Sequence, residues 1–133
     1  MRIRTLLAFV VCMLACAGCT KKKSTDELVQ DLKAKDDKSR LIAVRLLPQH
    51  KGDAAKAVPA LIEALKDTES DVRISAAVGL GYFGDEAKDA IPALQAAQKD
   101  HDARVREAAE VALTRIDPAR FPARSKGRPS GRK

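Results

Sequence analysis

The sequence predicts an all-α fold, a short α-solenoid of about three antiparallel helix pairs. Three observations predict it. The chain repeats itself at an offset of 33 residues, apolar residues within each unit recur at helical spacing, and no stretch sustains the alternation of period two that strands need.

Residues 1–18 read as an export signal. Arg2 and Arg4 supply the positive start, residues 6–17 are uncharged and mostly apolar, and the small Ala17 and Gly18 precede Cys19. A spanning helix needs roughly 20 apolar residues, which favours a cleaved address over a stable transmembrane anchor. Cys16-Ala17-Gly18-Cys19-Thr20 resembles a bacterial lipobox. The resemblance implies that Cys19 takes a diacylglycerol thioether and becomes the mature N-terminus of a membrane-anchored lipoprotein, on the periplasmic or extracytoplasmic face. Cys16 stands where the pattern usually has Leu. Preceded by Leu14 and Ala15, Cys16 is itself a rival acceptor, and an ordinary cleaved signal with an incidental cysteine is a third reading.

Residues 19–24 form a basic tether. Lys21, Lys22 and Lys23 lie either in solvent or beside an anionic lipid surface, where each is worth about 1 kcal/mol. One acyl chain binds a membrane only marginally, whereas the several chains implied by the lipobox would hold firmly.

Three units follow, over 25–57, 58–90 and 91–118. Val58-Pro59-Ala60-Leu61 matches Ile91-Pro92-Ala93-Leu94, and the register continues without gaps through Lys66-Asp67 with Lys99-Asp100, Val72-Arg73 with Val105-Arg106, and Leu80 with Leu113. Backwards, Leu61, Lys66, Arg73, Ala76 and Leu80 meet Leu28, Lys33, Arg40, Ala43 and Leu47. Val58, Leu61, Ile62 and Leu65 make one helical stripe, and Val72, Ala76, Leu80 and Phe83 make another. Each unit is therefore two antiparallel helices of about ten to twelve residues. Pro59 is expected in the first turn, Ser70 as an N-cap and Gly84 as a C-terminal αL cap. Gly79, costly in a helix interior, implies close packing. One pair cannot bury both stripes, so the units must stack.

Residues 58–67, with Asp71-Val72-Arg73 and the run from Ala76 to Gly84, resemble the HEAT repeat in its phycobilisome-lyase-like variant. The third unit matches through Arg106, Ala109 and Leu113 and then departs at Thr114, Arg115 and Asp117. The first lacks the proline (Asp26) and the aspartate (Ala34). The resemblance implies a fold and says almost nothing of function, since the family spans scaffolds, adaptors and a few enzymes. It also implies that Asp67, Asp100, Arg40, Arg73 and Arg106 form a ladder between repeats, in preference to a binding site.

Gln95, Gln98, Glu107, Glu110 and Arg115 replace apolar residues and make unit three a cap. Leu41, Ile42, Val44, Leu46 and Leu47 are more apolar than two stripes require, so unit one either covers the open end or offers a contact surface.

The formal charge of +7 suggests nucleic acid until it is placed. Residues 24–118 hold 14 Lys+Arg against 18 Asp+Glu, so the basic excess belongs to the flanks. The body has no cysteine, the chain has no Trp and one Tyr, and disulfides and base-stacking platforms are both missing. His50 and His101 have no ligand partner at metal spacing, and no His-Glu pair supports the iron chemistry of related helical-repeat hydroxylases. Asp85, Glu86 and Asp89 read as a solvated turn. Gly79-x-Gly81-x-x-Gly84 ends a helix instead of joining a strand to one, so the dinucleotide reading fails. No enzyme and no cofactor are expected.

The tail, 119–133, has six cations and no apolar stripe, which predicts disorder, with Phe121 folding back as a hydrophobic cap on unit three. Lys126-Gly127-Arg128-Pro129 resembles an AT-hook core, but an exported protein does not meet chromosomal DNA, so nucleic acid is not expected as a partner. The expectation is a lipid-anchored interaction module or scaffold in the bacterial cell envelope, with a protein partner. A lyase-like or accessory enzyme subunit is the alternative, by resemblance alone.

Overall fold

The computed structural model describes residues 22–123; the export signal, Cys16, Cys19 and the tail beyond 123 lie outside the described residues. Among those described, α-helices follow one another in pairs and no strand occurs. Unit one holds α1 (Thr25–Asp31) and α2 (Asp37–Leu46), unit two holds α3 (Ala54–Ala64) and α4 (Ser70–Phe83), and unit three holds α5 (Ile91–Ala97) and α6 (Ala103–Ile116). Short 3₁₀ segments, Leu47–Gln49, Lys51–Asp53 and Gly84–Ala90, join the units.

The helices depart from the expected ten to twelve residues. The first helices have 7, 11 and 7 residues and the second ones 10, 14 and 14. In unit three the 3₁₀ segment Gly84–Ala90 takes the turns that α3 adds in unit two. Pro92 accordingly sits at the start of α5, where a missing N–H costs nothing. Pro59 does not: α3 begins at Ala54, so Pro59 lies inside it. Its lost bond would have gone to Ala55, and both residues are exposed, so water can replace it.

Helix starts are fixed by local acceptors. Ser24 and Glu27 form a reciprocal capping box on α1. Asp36 accepts from the Ser39 N–H at 2.8 Å, and Asp102 from the Arg104 N–H at 2.8 Å. Ser70 is not an N-cap. It is the first residue of α4, and Glu69 takes the cap position without a side-chain bond.

The core is built from the repeat. Leu28, Leu61 and Leu94 on the first helices are fully buried, and so are Leu47, Leu80 and Leu113 in the second arms; each set is spaced by 33 residues. Ala43, Ala76 and Ala109 are a third such set. At about 25 cal/mol per Å² of apolar surface, burying these leucines stabilises each unit and its contact with the next. The second helices form a continuous row, α2 on α4 on α6, with α4 and α6 in the most extensive contact. The crevice lined by Val29, Leu32, Lys33, Ala60, Ala64 and Asp67 recurs as Ile62, Leu65, Lys66, Ala93, Ala97 and Asp100, so unit two meets unit three as unit one meets unit two.

Gly79 sits where a Cβ would stand 3.0 Å from Pro48 Cγ and 3.3 Å from Leu61 Cδ1, the close approach its helix-interior position implied. Of the apolar excess in unit one, Val44 and Leu47 are buried, Leu41 and Leu46 are half-buried, and Ile42 stays 56% exposed. Most of that excess is therefore core, and one residue is surface. Past 118 the ordered chain continues: Phe121 packs against the core, its N–H bonded to the Asp117 carbonyl at 2.9 Å.

Candidate functional site

Arg40, Arg73 and Arg106 occupy equivalent places on α2, α4 and α6. Each turns Nη1 onto the two carbonyls that open its own inter-helix turn. For Arg40 these are Ala34 and Lys35, both at 3.1 Å; for Arg73, Asp67 and Thr68 at 2.8 and 3.0 Å; for Arg106, Asp100 and His101 at 2.8 and 3.0 Å. Arg40 and Arg73 then cross to the next unit. Arg40 binds both oxygens of Asp67 at 2.8 and 3.0 Å, and Arg73 both oxygens of Asp100 at 2.8 and 3.1 Å. Both pairs are nearly buried, in the bidentate fork geometry that makes such bonds strong. Arg106 ends the series with no carboxylate bonded to it among the described residues.

The aspartates have a second duty. Asp67 Oδ1 accepts the Glu69 N–H and Asp100 Oδ1 accepts the Asp102 N–H, both at 2.9 Å, so each carboxylate also starts the second helix of its unit. Burial pushes the Asp67 pKa up, but hydrogen bonds from Arg40 and the Glu69 N–H outweigh it and hold the group below the usual carboxylate range. The Arg73 hydrogen bond holds Asp100 down against its own burial. Arg40 is raised by its bond to Asp67. Carboxylates ionised and saturated in this way are neither free bases nor open metal ligands.

The other residues singled out in the sequence stand apart. His101 is exposed and rests against the Arg73–Asp100 pair, its ring nitrogens 3.3 Å from each. His50 lies between two 3₁₀ segments. Asp85, Glu86 and Asp89 are exposed on the Gly84–Ala90 segment. Gly79 and Gly81 are buried in α4, and Gly84 ends it with a positive φ of 56° but a ψ of −126°, which is not the αL conformation expected of it. Among the described residues, no group of three or more His, Cys, Asp or Glu is placed to hold a metal, and no helix is long and apolar enough to cross a membrane.

A groove was not foreseen. It lies between α2 and α4, with a volume of about 570 Å³. Val44, Arg45 and Pro48 line one side and Ile74, Val78 and Tyr82 the other, with Gly79 between them. Val78 and Tyr82 are 40% and 57% exposed, although α4 buries most of its length. Val111, one repeat on from Val78, is exposed too, and the Arg115 guanidinium lies 5.5 Å above the Tyr82 ring. The signal was present in the sequence: Val78 and Val111 match at offset 33 but fall off the stripe of Val72, Ala76, Leu80 and Phe83. A second missed contact is the hydrogen bond from the Thr25 hydroxyl to Asp53 that ties α1 to the start of α3.

Comparison with known proteins matches residues 25–114 to the HEAT repeats family. The chain belongs to the HEAT-repeat family. Its HEAT repeats are similar, at 28% identity and a TM-score of 0.67, to a chain in the structure of the complex of CpcE and CpcF of phycocyanin lyase from Nostoc sp. PCC7120. The match covers 76% of this chain and 40% of that one, so this HEAT-repeat chain spans less than half the length of the protein it matches. No curated protein matches it by sequence.

Proposed function

We propose that this chain is a non-catalytic HEAT-repeat module that binds a protein partner while anchored through Cys19 to the bacterial cell envelope. The observation that carries the binding role is the exposed apolar set on the second-helix face, Ile42, Val78, Tyr82 and Val111. A body this small has other uses for large apolar side chains, and leaving four in water on one row of helices favours a partner that covers them. HEAT-repeat membership and the likeness to a chain of a two-protein complex support the same reading. The anchor rests on the sequence: Ala17-Gly18-Cys19 after a short apolar run.

Two measurements test it. Intact mass of the protein purified from its native membranes should show loss of residues 1–18 and addition of a diacylglycerol; an unmodified mass from a soluble fraction removes the anchor. Affinity isolation from detergent extracts should recover one discrete partner, and its repeated absence across several detergents removes the binding role.

The likeness to the phycocyanin lyase complex favours a second reading, an accessory subunit of a lyase-like enzyme. That reading requires pigment or metal in the purified protein, and a colourless, metal-free sample rejects it.

A further inference from the structure

The groove between α2 and α4 is charged against the trend of the body around it. Residues 24–118 carry 14 Lys+Arg and 18 Asp+Glu, yet Arg45 and Lys51 line the groove and no carboxylate does. Both cations are exposed and neither makes an ion pair among the described residues. Arg115, on the Tyr82 ring, adds a third at the Tyr82 end. Between these cations the lining is apolar, from Val44, Pro48, Ile74 and Val78. Ile74, Val78 and Tyr82 are four residues apart on α4, a strip about 12 Å long at roughly 1.5 Å per residue. That length matches about two turns of a docked helix, the span of apolar anchors at i, i+4 and i+7.

We propose that this groove receives an acidic amphipathic helix of the partner protein. Its apolar anchors seat against Ile74, Val78 and Pro48, and its flanking carboxylates meet Arg45 and Lys51. The inference rests on the interaction-module reading and adds the chemistry of the partner. The chain's own remaining segments are the wrong sign: residues 1–21 and 124–133 contain cations and no Asp or Glu. Charge complementarity of this kind selects the partner and suppresses wrong ones more than it adds affinity.

The test uses the full chain and two labelled synthetic helices with identical apolar anchors, one flanked by Glu and the other by Lys. The Glu helix is expected to bind at least about tenfold more tightly than the Lys helix. Arg45→Glu with Lys51→Glu should reverse that preference, and Val78→Glu should weaken both. All three positions are exposed, and unchanged circular dichroism checks the fold of the variants. Equal affinity for the two helices overturns the proposal, and so does a preference that survives the double substitution. A photo-cross-linking residue at Val78 of the membrane-bound chain gives a second readout. An adduct on an acidic helix of another protein supports the proposal; an adduct on residues 1–21, on 124–133, on a second copy or on a lipid chain overturns it. A partner captured from Glu63 on α3 but not from Val78 sinks the groove and leaves the interaction module standing, whereas capture from neither sinks both.

Discussion

Arg73 and Asp100, 27 residues apart, are joined by two parallel hydrogen bonds of 2.8 and 3.1 Å, and the same guanidinium holds two carbonyls of its own unit's turn. Four bonds from one side chain tie the end of α3, the start of α4 and the turn of unit three together. With Arg73 and Asp100 both largely buried, removing the cation alone leaves a carboxylate without its counter-charge. Arg73→Leu should therefore cost roughly 3 kcal/mol, read as a lowered urea midpoint with an unchanged slope. Arg106→Leu should cost distinctly less, since among the described residues Arg106 bonds only to the turn of its own unit. Equal losses for the two variants would contradict a role in joining units.

Gly81 tests how tightly units two and three are pressed together. A Cβ there would lie 3.2 Å from the Ala112 Cα, which is backbone and cannot step aside. Replacing a helix-interior Gly by Ala gains about 1 kcal/mol of propensity, but overpacking costs about 1–3 kcal/mol. Gly81→Ala should be net destabilising in thermal unfolding, and a raised midpoint would show that α4 and α6 can separate without penalty.

Gly84 tests backbone geometry with no packing involved. Its φ of 56° and ψ of −126° are the lone positive-φ case among the described residues, and a Cβ there would meet nothing within 4 Å. Gly84→Ala should still destabilise, by about 1–3 kcal/mol, because the cost is conformational strain. A neutral result would mean the turn after α4 relaxes freely into another conformation.

The order of the helices and the ladder were legible because each signal is stated more than once. Leu28, Leu61 and Leu94 repeat a buried position, and Arg40, Arg73 and Arg106 repeat a charged one, so three weak local patterns reinforce one another. Helix ends were less legible. Ser70 has the chemistry of a cap, but the Asp67 carboxylate reaches the Glu69 N–H first, and Pro59 is tolerated inside α3 because the bond it forfeits faces solvent. The groove was hidden for a different reason. Val78 and Tyr82 fall off the apolar stripe that carries Leu80, but an apolar residue off the stripe is ordinary in a helix, and the open groove that α2 leaves beside them follows only from the packing. Thr25 has Val58 and Ile91 at its repeat positions, so periodicity offered no route to its bond with Asp53.

Acid should weaken the stack in a defined window. Hydrogen bonds from Arg104, first through its side chain and then through its backbone N–H, hold Asp102 down to about 2, and Asp67 and Asp100 are lowered as well. An unfolded aspartate titrates near about 3.9, so between the two values the unfolded chain binds more protons than the folded one. Stability in that range rises with pH: the contribution is whole above pH ~4 and is lost as pH falls toward the folded value. The thermal midpoint should be level from about pH 8 to 5 and drop below 4. Asp102→Asn keeps a cap on α6 but removes one titrating group, so its curve should fall less steeply on acidification. A midpoint that climbs below pH 4, or an Asp102→Asn curve parallel to the parent's, would show that these carboxylates do not link folding to protonation.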